Sequence, residues 1–286
     1  MLYLHLIKEI HMRRVPLIIL LVAVLFLPMS CKQNGSNATA DAKSHALNVL
    51  LDTTATLSQI NEVIFPWADS LKASAVDTTS LNARLSAQQF AFMTIQLLTE
   101  QAARMEKAGN PIPHEDLNRM MSPLLDAACQ WLYSTIDGIP SIWRDMFYVS
   151  NQKANESVDG YFHIMVLLPS EEMAEPELHI FFPESAADMP ALLFRKYSSL
   201  ETLEEDADNQ ELIPLEDWYK KGELEDGYPI YASAGADIVK RMLEYDLMYV
   251  LFRSGPTPNG EAGENEMARI DLMYFQNKYS EVLGFD

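Results

Sequence analysis

The residues whose types and spacing would do chemistry are few. His163 and His179 lie in neighbouring apolar runs, with Glu177 beside the second. Two imidazoles and a carboxylate suit a transition metal if one sheet face presents all three. A symmetric tight pairing of the two runs puts the histidines on opposite faces, and a one-residue slip reverses that. Structural roles for both are the plainer expectation, and no metal is assigned. His114 opens His-Glu-Asp-Leu-Asn, but Asn118 stands where a zincin needs its second histidine. Ser233 sits in Tyr-Ala-Ser-Ala-Gly, which lacks the leading glycine of a nucleophile elbow and reads more simply as a helix-capping turn. Asp206 and Asp208 begin like a calcium loop, yet Gln210 and Glu211 follow where a ligand and a glycine belong. The acidic run there reads as solvated charge. No glycine-rich phosphate loop occurs, so no cofactor is assigned and no residue is named as catalytic.

Aromatic residues supply the remaining candidates. Trp131, Tyr133, Trp143, Phe147 and Tyr148 crowd one stretch. Packing is their plain role. A ligand or sugar platform is the alternative, because such rings combine a large apolar face with polar handles. The ligand-site candidates are therefore His163, His179, Ser233 and Trp143.

The elements that must position these groups fall into two halves. Residues 41–138 carry helical periodicity, with apolar residues at three-, four- and seven-residue steps. A first helix reaches Pro66, a second spans the stretch from Asp77 to Lys107, and a third runs from the His114 region to Gly138. From about residue 158 the period shortens. Residues 160–169 and 177–183 predict a strand pair, and residues 191–200 a third strand. The acidic stretch 201–229 reads as an irregular excursion with a short helix near Trp218. Residues 235–245 predict a helix, and 246–253 and 267–275 the last two strands. The loop 254–265, rich in Gly and Pro, should be mobile. Asp-Leu-Met-Tyr occurs at 246–249 and 271–274, which fits convergent strand chemistry better than a repeat. Helices first and strands later predict an α+β fold, with N-terminal antiparallel helices packed on a mostly antiparallel C-terminal sheet. Residues 139–286 would form one domain with the helices.

Charge narrows the partners. The chain has 41 acidic and 21 basic side chains, a formal charge of −20. Nucleic acid is held by Lys and Arg through counterion release, so it is not an expected partner.

The start of the chain carries the clearest targeting signal. Arg13 and Arg14 precede the apolar run Val15–Pro28, and Ser30 precedes Cys31. A basic segment, a short apolar core and a small residue at the cut describe a secretory signal, too short to span a bilayer. "RRVPLIILLVAVLFLPMSC" resembles a bacterial lipoprotein signal peptide over residues 12–36, with Leu27 one place further from the cysteine than that class prefers. The resemblance implies lipidation at Cys31 and cleavage before it. Met12 then opens the signal, residues 1–30 are removed, and the polar residues 31–40 form a tether. Cys129, in an apolar stretch, would then be a lone thiol and a small core residue.

The expectation is an envelope lipoprotein that faces the periplasm or exterior, held to a membrane by lipid. It would bind an envelope protein or glycan without catalysis. An envelope hydrolase using carboxylate, His or Ser chemistry is the alternative, and a small-ligand sensor the third reading.

Overall fold

The computed structural model describes residues 37–149, 159–171, 173–181, 186–199, 204–214, 218–223, 229–233, 236–254 and 265–284. Cys31, the part of the expected tether 31–40 before residue 37, and most of the loop 254–265 lie outside them, while residues 37–40 of that tether are helical. The described residues form an α+β fold, with helices first and two antiparallel sheets after them. Two compact units share the chain. One takes residues up to 73, 90–127 and 199–204, and the other takes 74–89, 128–198 and 205–286.

The helical unit contains α1 (Asn37–Leu51), most of α2 (Leu57–Ala75), the later part of α3 (Leu81–Lys107) and α4 (His114–Ala128) up to residue 127. The sequence predicts one helix up to Pro66. Instead the chain breaks at Asp52, whose carboxylate accepts from the Thr54 N–H, and α2 restarts behind Thr56 with Pro66 inside it. Gln101 donates to the Asp52 carbonyl and Arg104 to the Leu50 carbonyl. Those carbonyls lie where a helix end leaves them without intrahelical donors, so α3 supplies what lets α1 stop. Ile60, Ile64, Leu98, Met120 and Leu124 are fully buried. The Trp67 indole donates to Thr94 at 2.9 Å.

Among the described residues the β-rich unit holds ten strands. β1 (Leu132–Ile136), β2 (Ile139–Val149), β3 (Asp159–Leu167) and β4 (Glu177–Phe181) join β7 (Trp218–Glu223) and β8 (Pro229–Ser233) in one sheet of order β1-β2-β3-β4-β8-β7. β5 (Ala186–Ser199), β6 (Glu204–Pro214), β9 (Leu247–Ser254) and β10 (Asn265–Asp271) form a second, of order β10-β9-β5-β6. The sequence reading expected a single sheet. One face of each meets in a shared core with α5 (Ala236–Glu244) and α6 (Met273–Leu283), where Phe162, Ile164, Phe194, Val250 and Phe275 are fully buried.

Three expectations change here. The third helix does not run to Gly138, because α4 ends at Ala128. Asp137 (φ 51°) and Gly138 (φ 85°) then make the tight turn of the β1–β2 hairpin. Two positive φ values are the signature of the turn whose twist matches paired strands. The acidic stretch is not irregular, since β6 and β7 lie in it and no helix forms at Trp218. The last strand ends at Asp271, so the second Asp-Leu-Met-Tyr leads into α6 while the first leads into β9.

Candidate functional site

Strand register settles the question the histidines raised. His163 pairs with Phe181 and Met165 with His179, so His163, His179 and Glu177 share one face of the six-stranded sheet. Asp145 on β2 lies opposite His163, and Trp143 lies opposite Met165, which places both on that face too.

Asp145 is the hub of what these residues form. His163 Nδ1 lies 2.8 Å from its Oδ1, and Arg84 Nε donates to its Oδ2 at 2.6 Å. Arg84 and Gln88 stand four residues apart on α3, on one helical face. They belong to the part of α3 that groups with the β-rich unit. Gln88 donates to the Asp145 backbone carbonyl at 2.6 Å, and Arg84 Nη1 donates to the Asp77 carbonyl at 2.7 Å. Burial would raise the Asp145 pKa. The His163 hydrogen bond and charge, with Arg84 behind them, outweigh that and hold it below the usual carboxylate range. The carboxylate is 4% exposed and Arg84 10%.

A row of rings surrounds this hub. The His163 ring lies 5.3 Å from Trp143 and 5.4 Å from Phe181, and Phe181 stacks on His179. The Arg84 guanidinium lies over the Trp143 ring at 4.8 Å, and the Trp143 indole donates to Ser134 Oγ at 2.7 Å. Trp143 is buried and packs against both Arg84 and His163. His179 Nε2 lies 3.0 Å from Glu177. His163, a quarter exposed, is the most open member of the Arg84–Asp145–His163 chain. Its Nε2 makes no hydrogen bond to a described residue.

An imidazole oriented at Nδ1 by a buried carboxylate is the arrangement that a hydrolytic triad builds on. A full triad adds a hydroxyl or thiol on Nε2, and no such group bonds there among the described residues. Nor do three His, Cys, Asp or Glu side chains gather to hold a metal ion among them. Ser233 ends β8, paired with Trp218, one position beyond Ala232, which pairs with His179. Cys129, just past α4, is buried and forms no disulfide among the described residues. The sequence reading brought His163 and His179 forward but missed Asp145, Arg84 and Gln88. A faint signal was available in two long polar side chains one turn apart in the apolar run of α3.

The fold and this cluster define an α+β protein with an aromatic-walled Asp–His pair. No family model matches the chain, and no curated protein matches it. Among solved structures it is similar to the crystal structure of invasion associated protein B from Bartonella henselae. The two share 12% identity over 54% of this chain and 92% of that one, with a TM-score of 0.34. A score that low carries no argument about fold or function.

Proposed function

We propose that the protein is an envelope lipoprotein, acylated at Cys31, whose folded body binds an envelope protein or glycan rather than carrying out a reaction. The observation that carries this reading is the arrangement around Cys31: a basic pair, a short apolar core and a small residue before it, and a polar tether after it. No helix among the described residues is long and apolar enough to cross a membrane, so an anchor would come from lipid or from residues outside them. The arrangement at Asp145 fits the binding half. Both carboxylate oxygens and the backbone carbonyl are already engaged. The high negative charge argues against nucleic acid as the partner.

The experiment is phase partitioning of the protein made in a bacterial envelope, beside Cys31→Ala. An acylated protein enters the detergent phase and the variant stays aqueous. Equal partitioning of the two removes the anchor. The Asp145–His163 pair favours the hydrolase as a second reading. It predicts hydrolysis of p-nitrophenyl butyrate that His163→Asn abolishes, while a rate equal in both removes it.

A further inference from the structure

Among the described residues the two sheets end in four edge strands, and one of them differs from the rest. Edge strands expose unpaired backbone groups, and proteins guard them with charge, proline, bulges or covering segments. β6 is guarded by Glu204, Glu205, Asp206, Asp208 and Glu211 and ends at Pro214. β7 carries Lys220, Lys221 and Glu223 and a register break between Lys220 and Gly222. β10 carries Glu266, Arg269 and Asp271. β1 reads Leu-Tyr-Ser-Thr-Ile, with no charge, no proline and an unbroken register, in a chain with 22% charged residues.

The hairpin register shows which backbone groups β1 presents. Ile136 and Ile139 flank the two-residue turn and form a hydrogen-bonded pair. Alternation along the ladder then makes Ser134/Ser141 and Leu132/Trp143 bonded pairs, and Tyr133/Ile142 and Thr135/Pro140 non-bonded ones. Pro140 agrees, since it has no N–H and its carbonyl accepts from Leu168, beyond the end of β3, at 2.8 Å. The N–H and C=O groups of Tyr133 and Thr135 therefore point away from β2, toward the open edge. Among the described residues no strand pairs there. Tyr133 is 45% exposed and Ile136 37%.

We infer that the outer edge of β1 accepts an extended cationic segment of a partner protein as an added strand. Strand addition draws affinity from backbone hydrogen bonds and specificity from alternate side chains. The charge of −20 selects the occupant, because it repels a second copy of this chain and attracts and steers a basic segment. This inference rests on the reading of the protein as a binding module, and it names the class of partner. Its test uses purified protein in solution, so loss of the lipid anchor does not decide it.

The experiment is fluorescence anisotropy of a labelled peptide, Thr-Val-Thr-Val-Thr with a lysine pair at each end, titrated with the full chain in neutral detergent. Thr135→Pro removes an outward N–H that takes no part in the β1–β2 ladder, and its ring blocks the edge. It should weaken binding by about tenfold, while Thr135→Val binds as the wild type does. Tyr133→Lys, which guards the edge with charge, should weaken binding as well, and it decides the question if the proline variant fails to fold. Equal affinity for wild type and the folded edge variants would overturn the proposal, leaving only attraction to the acidic body. So would the absence of peptide binding, or a dimer that Thr135→Pro dissolves, which would make the occupant a second copy.

Discussion

Asp145 on the six-stranded sheet is buried and Asp271 on the four-stranded one half-buried, both in the β-rich unit, yet desolvation wins only at Asp271. Asp145 touches Arg84 directly, and His163 takes its other oxygen. Its pKa falls in spite of desolvation. Asp271 accepts from the Met273 N–H and from the Tyr197 hydroxyl, both neutral donors. Arg269 reaches that hydroxyl, 2.9 Å away. Burial therefore pushes the Asp271 pKa up, against the Met273 hydrogen bond and the Arg269 charge. Tyr197 is pushed up as well, first by its own burial and then by the charge of Asp271. A carboxylate drawn out of water stays charged when a cation sits on it and resists charging when the cation is one group removed.

The largest expected effect comes from taking that cation away. Arg84→Met leaves the Asp145 charge buried beside one imidazole and should cost about 3–5 kcal/mol in urea unfolding. Adding Asp145→Leu should recover most of the loss, because no stranded charge remains. Additive losses would show that the pair does not act as a unit.

Acid unfolding sharpens the contrast. The folded-state pKa of Asp145 lies below its unfolded value. Its stabilisation is complete above the ordinary range near about pH 4 and fades as pH falls through the folded value. Asp271 has the opposite sign. Its folded pKa is raised, so stability is lost as pH rises through the window above the ordinary range, and acid restores it. Urea midpoints across the acid range should show a shallower fall for Asp145→Asn and a steeper one for Asp271→Asn. Parallel curves would contradict the assignment.

Smaller effects test the elements that hold the hub. Gly138→Ala forces a side chain into the left-handed region at φ 85° and should cost about 1–2 kcal/mol. Nothing lies within 4 Å of the added carbon, so the cost is that of the backbone alone. Ser134→Ala removes the acceptor of the Trp143 indole and should cost about 1 kcal/mol. A loss near zero would mean that the indole finds another acceptor.

Much of the fold was legible. The helix 81–107 announced itself by its period, and Ser80 caps its start. The pair β3–β4 was legible in two apolar runs of β-forming residues. What stayed hidden depended on partners far along the chain. β6 is acidic enough to read as a loop, and it becomes a strand whose Glu205 and Glu211 meet Arg195 and Arg241. Strand formation reflects such neighbours more than local preference. Gly138 looked like a helix stop because positive φ serves a helix end and a hairpin turn equally well. At the candidate site the histidines were visible. Their shared face depended on register, and Arg84 lies 61 residues from the carboxylate it neutralises.

The most direct test of the central claim is the intact mass of the protein recovered from a bacterial envelope. The account predicts a chain that begins at Cys31 and carries acyl mass, with Cys31→Ala lacking that mass. An unacylated wild type, whether cut elsewhere or intact at 286 residues, would contradict it.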